Sequence, residues 1–478
     1  MFFDLHCHPS FKTFLGARNQ EDRQDCWNTL NFDIDFKILD SQSSLTQVKA
    51  GKGTLIVCAL YGLESGFAGS GLIKLAAGLS PHVEKRFLQE IQWGEWGYNQ
   101  LMLGDYEHLM LSQQISPEKS FKHLQNIQQF DPVSNEIQVI LAAEGGHNFY
   151  DNDQLPGHAS GVLENLLFHK QPGNPRLLYA TLTHLQQSAF CTHAYGMKLI
   201  NNPVFFPTGN GLNNLGKSFI RTALTSQNGP SILIDIKHMS LQSRLQFYQL
   251  RNTEFPNSPI MATHMGVTGS SYLNKPIKKV QTNIPRKCVE AFYYRQPGAV
   301  DTYFNPWSIN LFDEDIREIM LSGGLIGLSL DQRILGFGKA SKEVFSLEEF
   351  RMDEFKPIRK PKYHRLHHGH HDTGQKIRNW QIRYFCNNWL HVVKIGQQVI
   401  GDDAWNHICI GSDFDGLIDP INDFTSAEKY KFVFARLVDW MPKMAVAMEV
   451  TVAATDVQKR VSGLVFDNAL KFLEQHYT

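Results

Sequence analysis

Eight short apolar, β-rich runs, with helical-period segments between many of them, predict an α/β chain folded as a (β/α)8 (TIM) barrel with long βα-loop insertions. Most of these runs are nearly continuous rather than alternating, as parallel strands buried on both faces are. Six of the eight also end in an ionisable side chain, at the rim where barrel enzymes build their sites.

The runs are Phe2–His6, Thr54–Leu60, Gln138–Ala143, Leu178–Thr183, Ser231–Lys237, Pro259–Thr263, Gly324–Leu330 and His407–Gly411. Helical spacing is found over Pro81–Trp93, Leu241–Gln249, Asp313–Met320, Lys376–Val399 and Ser426–Trp440. The C-terminal Asp456–Gln475 reads as one amphipathic helix, with Val457, Val461, Leu464, Val465 and Leu470 on its apolar side. The length beyond a minimal barrel falls in four connections, Tyr61–Ile137, Leu185–Pro230, Gly266–Gly323 and Asp331–Asn406. One domain over residues 1–478 is therefore expected, with insertions at those four places.

Composition narrows the class. The 478 residues are 42% hydrophobic and 19% charged, ordinary for a chain with a sizeable core. A formal net charge of -1 gives no electrostatic reason for nucleic acid or an anionic membrane as partner. The basic run Lys356–Arg365 is short and interleaved with proline, as in a solvated loop. The seven cysteines are scattered and odd in number, which argues against a disulfide framework and for a reducing compartment. No signal-peptide pattern precedes the strand at Phe2, so a cytoplasmic location is expected. No apolar run approaches the roughly 18 residues of a membrane span.

The opening MFFDLHCHPS carries the first chemistry. His6 and His8 share one face of a strand, two residues apart. Side-by-side imidazoles are a start for a metal site, although one of the two could be a core histidine bonded to a carbonyl. Later strands then deliver Glu144, His184, His238, His264 and Asp413 at the same rim. His6, His8, His238 and His264 supply imidazole nitrogens, and Glu144 supplies a carboxylate able to bridge. That donor set suits Zn²⁺, with Mn²⁺, Fe²⁺ or Co²⁺ also compatible. Five ligands are too many for one open catalytic zinc and suit two ions sharing a bridge, roughly 3.5–4 Å apart, with a hydroxide between them. Asp413 is then placed to take a proton and return it to a leaving amine. His184 is placed to hydrogen-bond a substrate carbonyl oxygen as charge develops there.

Other polar residues carry weaker signals. His147 and Asp151 either support the ligands or are loop polar groups. Asp235 fits a satisfied buried carboxylate and a partner for an imidazole equally well. Asp4 shares a face with His6 and His8 and could orient one of them. His193 reads as an exposed loop residue, and Asp415 as a carboxylate bonding backbone amides in its glycine turn. The cluster His364–His371 could bind metal but reads as a polar loop, since nothing orients its imidazoles.

The segments AAEGGHN, YATLTH, IDIKHMS, PIMATHMG and IGSDFDG, in that order, resemble the renal or membrane dipeptidase family of binuclear zinc peptidases (family M19), within the amidohydrolase-like barrels. Asn305-Pro306 through SINLFDEDIREIMLSGGLIGLSL resembles that family's approach to its seventh strand, and Val461–Asn468 its C-terminal helix. The resemblance implies that His6, His8 and Glu144 hold one zinc, and Glu144, His238 and His264 the other. It implies that His184 contacts the substrate and that Asp413 is the acid–base residue. Two positions depart from the family. It opens with His-x-Asp, where this chain has His8, the pattern of amidohydrolases more generally. It also carries an arginine for the substrate carboxylate where this chain has Ile309. A substitute cation could come from Lys275, Lys278, Lys279, Arg286, Lys287 or Arg295. Without one, a weak grip and tolerance of substrates lacking a free C-terminal carboxylate are expected.

The expected partner is thus a small molecule, a dipeptide or related amide; a homodimer is compatible with the sequence. DLHCH also resembles the opening of PHP-type metal-dependent phosphoesterases, a rival that does not account for GSDFDG together with EGG. A non-catalytic metal-binding protein built on His364–His371 is a rival of another kind, and leaves Asp413 without a task.

Overall fold

The computed structural model describes residues 1–16, 24–32, 38–71, 83–152, 160–197, 202–338, 342–350 and 374–478, the first of the last group, 374–380, by their backbone. The cluster His364–His371, the basic run Lys356–Arg365 and the predicted helix start at Pro81 lie outside the described residues.

All eight predicted runs are strands, each within two residues of its predicted ends. They are β1 (Phe3–Cys7), β2 (Leu55–Leu60), β3 (Ile137–Ala143), β4 (Leu177–Thr181), β5 (Leu233–Asp235), β6 (Met261–Met265), β7 (Leu325–Leu328) and β8 (Ile408–Ile410). They pair in parallel in chain order from β1 to β8. Every residue in them is buried, which is why their sequences run apolar without alternation. The ring meets beyond β8, where the Asp413 amide donates to the His6 carbonyl at 2.8 Å and the His8 amide to the Phe414 carbonyl at 2.9 Å. These bonds set the end of β1 directly beside the segment after β8. A Cβ on Gly327 or Gly411 would lie 2.0 or 1.8 Å from the Thr263 carbonyl oxygen, so glycine is what lets the chain pass this close to β6.

Helices fill most of the connections. Leu241–Glu254, Asp313–Leu321 and Gly374–Ile400 fall where the spacing predicts them. The helix predicted over Ser426–Trp440 instead runs Tyr430–Met448, after a 3₁₀ turn at Ala427–Lys429, and continues through Pro442. The C-terminal helix is interrupted by a π turn over Gly463–Asp467. Asn468 explains its place: its amide donates to the Trp405 and Ile408 carbonyls, tying the helix to β8. Leu470, predicted on the buried side, is only partly covered.

The insertions hold structure that the periodicity did not single out. Tyr98–Leu111 and Asn214–Leu224 are helices, the second capped by the Asn213 side chain, which accepts from the Gly216 amide. Phe121–His123 pairs in parallel with β3 as an extra edge strand. Ile277–Asn283, Cys288–Tyr293 and Lys342–Ser346 form a separate antiparallel sheet. The seven cysteines are buried and unpaired. No described helix is long and apolar enough to cross a membrane.

Candidate metal centre

The residues predicted at the strand ends come together at one rim. His6 and His8 project from β1, with Nε2 atoms 3.1 Å apart. His238, after β5, and His264, on β6, have Nε2 atoms 3.2 Å apart. The Glu144 carboxylate, after β3, lies between the pairs. Its Oε1 is 3.1 Å from His238 Nε2, 3.2 Å from His264 Nε2 and 3.5 Å from His6 Nε2. Its Oε2 is 3.2 Å from His8 Nε2.

The partners of the other ring nitrogens settle the tautomers. Tyr179 OH donates to the Leu5 carbonyl at 3.0 Å, so it accepts from His6 Nδ1 at 2.8 Å. His8 Nδ1 donates to the Ala59 carbonyl at 2.8 Å. Thr263 Oγ1 donates to Asp235 at 2.6 Å and accepts from His264 Nδ1 at 2.9 Å. In its neutral form each of these three rings presents a lone pair at Nε2. Lone pairs facing one another at 3.1 Å repel, and a cation between them removes the repulsion. Two donors on one tetrahedral ion with bonds of 2.0–2.1 Å stand roughly 3.3 Å apart, the separation found within both pairs. The donor set thus fits metal ions, and groups of three such donors occur around His6, Glu144 and His264, around His6, His8 and Asp413, and around Glu144, His184 and His238. His238 differs from the other candidate ligands: its Nδ1 has no hydrogen-bond partner and its φ of 66° is left-handed. Its carbonyl accepts from the Ala194 amide at 2.6 Å, which holds the strained backbone in place.

Asp413 stands beside the first pair, its Oδ1 3.8 Å from His8 Nε2 and 4.0 Å from His6 Nε2. Burial, and then the negative charge of Glu144, push its carboxyl well above the usual range. Its neighbours in GSDFDG make contacts of their own. Ser412 donates to Asp4. Asp413 takes a left-handed φ of 64°, and a Cβ on Gly416 would lie 2.1 Å from its Oδ1. Asp415 accepts from the Gln42 and Ser43 amides and pairs with Lys12 at 2.8 Å. It does bond backbone amides, but those of a segment far away in sequence rather than of its own turn.

His184 faces the same cavity, with Nε2 3.9 Å from Glu144 Oε2 and Nδ1 2.8 Å from Glu64 Oε2. Burial would raise Glu64, but the charge and hydrogen bond of His184, together with His147 and the Tyr61 hydroxyl, hold the carboxyl down at about 2. The same pairing raises His184 against the pull of burial. Glu64 also accepts from Tyr61 OH at 2.9 Å and the Gln186 amide at 3.1 Å.

Several secondary expectations change. Asp4 does not touch an imidazole; it accepts from Ser412, Tyr430 OH and the His6 amide, and so fastens β1 to β8. His193 is buried rather than exposed, its ring bonded to the Phe205 carbonyl at 3.1 Å. Asp235 supports His264 through Thr263. His147 bonds the Gly62 carbonyl at 2.8 Å and Asp151 accepts from Asn165, and neither contacts a candidate ligand side chain by a hydrogen bond. Ile309 lines the cavity, and none of Lys275, Lys278, Lys279, Arg286, Lys287 and Arg295 does; Lys237 and Arg333 line it instead. Glu64, Tyr179 and Lys237 went unread in the sequence. Glu64 had one signal: β2 was a strand whose end delivered no ligating group, and Glu64 is the first acid after it.

No protein-family model matches the sequence, and no curated protein matches it. The comparison with solved structures does find relatives in shape. The chain has the barrel fold of metallopeptidases. More closely specified, it is similar over its full length to dipeptidase AC, a metallopeptidase of family M19, at 15% identity, covering 100% of this chain and 98% of that one with a TM-score of 0.52. It is similar to a metallopeptidase from Rhodobacter sphaeroides solved with a phosphinate mimic of the dipeptide L-Ala-D-Ala, at 16% identity, 100% and 99% coverage and a TM-score of 0.53. It is similar also to the probable dipeptidase PvdM from Pseudomonas aeruginosa, at 12% identity, 99% and 94% coverage and a TM-score of 0.52. At these identities the likeness carries the fold.

Proposed function

We propose that this protein is a metal-dependent hydrolase that cleaves the peptide bond of a dipeptide, or a related amide bond. His6, His8, Glu144, His238 and His264 would hold two divalent ions, Zn²⁺ the best suited to the donors, with Glu144 shared between them. The observation that carries this reading is the pair of imidazole pairs, each at ligand spacing, on either side of one carboxylate. Bound ions would polarise a carbonyl and acidify a water. The remaining work falls to side chains. Asp413 takes the proton of the attacking water and passes it to the leaving amine. His184, oriented by Glu64, donates from Nε2 to the carbonyl oxygen as negative charge grows there. Apolar walls from Phe67, Met197, Phe304, Trp307 and Phe337 exclude bulk water, and a cavity of about 160 Å³ suits a small substrate. All four long connections line this cavity, which supports reading residues 1–478 as one catalytic domain.

The orienting bonds have a measurable consequence. Tyr179→Phe removes the acceptor for His6 Nδ1 while keeping the ring. It is expected to weaken metal binding about 10–100-fold, the usual worth of such a partner. Competition with a fluorescent chelator measures this, and an unchanged affinity would show that Tyr179 does not set the ring.

The test of the function is a panel of dipeptides and a generic phosphoester, assayed with Zn²⁺ and with chelator. Amine release that chelator abolishes and Zn²⁺ restores is expected. Phosphoester cleavage without dipeptide cleavage would move the protein to the phosphoesterases. Metal binding with no reaction would leave a binding protein.

A further inference from the structure

Among the described residues, two cationic side chains other than histidine line the cavity, Lys237 and Arg333. They are not equivalent. Arg333 already spends its charge on Asp331, through Nε and Nη2, with a further bond to the Leu417 carbonyl. Lys237 is 1% exposed, and its buried Nζ has no hydrogen-bond partner. An ammonium taken out of water without an acceptor is costly, and buried lysines are almost always paired. Lys237 sits next to His238, so it stands at the edge of the metal centre, and Ile309 lies on the same cavity wall. Asp413, Asp235, Glu144 and Asp331 act on the Lys237 charge through space, but none of them makes a hydrogen bond to Nζ, and Asp235 bonds only the Lys237 amide.

We infer that Lys237 is a specificity-determining residue whose ammonium binds an anionic group of the substrate, the free carboxylate of a dipeptide. The inference rests on the hydrolase reading above. It reverses the tolerance of uncharged substrates expected from Ile309: the cation comes from the end of β5, not from the insertion before Ile309. Glu144 would be engaged by bound ions and Asp413 by the attacking water, which leaves Lys237 Nζ a donor without a hydrogen-bonded acceptor. The carboxylate would accept from Nζ, and the scissile carbonyl would lie toward His184 and Asp413, which line the same cavity.

The test compares kcat/KM for a cleaved dipeptide and its C-terminal amide in the Zn²⁺-loaded full chain. Wild type is expected to prefer the free acid by roughly 10²-fold, the worth of a charged hydrogen bond. Lys237→Met should bring that ratio to within about threefold of unity by costing activity on the acid alone, and Lys237→Arg should retain most of the preference. Equal rates on acid and amide in wild type would overturn the inference without any variant. So would a Lys237→Met enzyme slowed equally on both, which would mean that Lys237 acts through Asp413 or the metal ligands. Failure of wild type to cleave any dipeptide is a different result: it removes the hydrolase reading, and this one with it.

Discussion

Glu144→Ala is expected to lose both metal ions and, with them, all hydrolysis above background. Each oxygen of Glu144 faces imidazoles, Oε1 toward His238 and His264 and Oε2 toward His8. The substitution leaves four imidazoles around a space that no longer holds a negative charge. Loss of an outer partner alone weakens metal binding about 10–100-fold, so loss of a shared ligand should exceed about 100-fold at both sites. The barrel should survive, because the Glu144 amide still bonds the Leu60 carbonyl and β3 keeps its register with β2. Metal content by mass spectrometry on the purified variant measures the effect. Two tightly bound ions per chain would show that Glu144 is not the bridge.

Asp413→Asn should separate chemistry from metal binding. Asparagine keeps the size that Gly416 makes room for and cannot accept a proton at Oδ1. Turnover is expected to fall about 10²–10⁴-fold, the range for a positioned acid–base group. Metal content should change little, since Oδ1 stands 3.8 and 4.0 Å from the His8 and His6 Nε2 atoms, farther than Glu144 does. The left-handed backbone at this position also favours asparagine among the replacements. If the variant turns over at the wild-type rate per folded molecule, Asp413 is a turn residue and the proton acceptor lies elsewhere.

Lys237 and Glu64 show where reading the chain stops. Lys237 lies in IDIKHMS, beside a residue read as a ligand, yet nothing in its neighbours tells whether its ammonium is paired. Glu64 lies past the end of β2 in a long connection, and its tie to His184 joins segments 120 residues apart. His193 reads as exposed because it follows a strand end in a polar stretch, but the Phe205 carbonyl and the bridge to Met239 bury it. The antiparallel sheet pairs Cys288–Tyr293 with Lys342–Ser346, and no local period announces such a partner.

By itself the sequence determined the eight strands and the residues at their ends. Burial on both faces makes a strand continuously apolar, and a two-residue period puts His6 and His8 on one face; both signals lie in consecutive residues. Only the tertiary structure decided what those residues bond. The Asp415 carboxylate reaches Gln42 and Ser43, Asp4 binds Ser412 and Tyr430 rather than an imidazole, and Tyr179 sets the His6 tautomer from across the barrel. A buried polar group takes whatever partner the packed chain brings to it. That partner is fixed by how strands distant in sequence close into one barrel, and the same packing leaves Lys237 Nζ without a hydrogen-bonded acceptor.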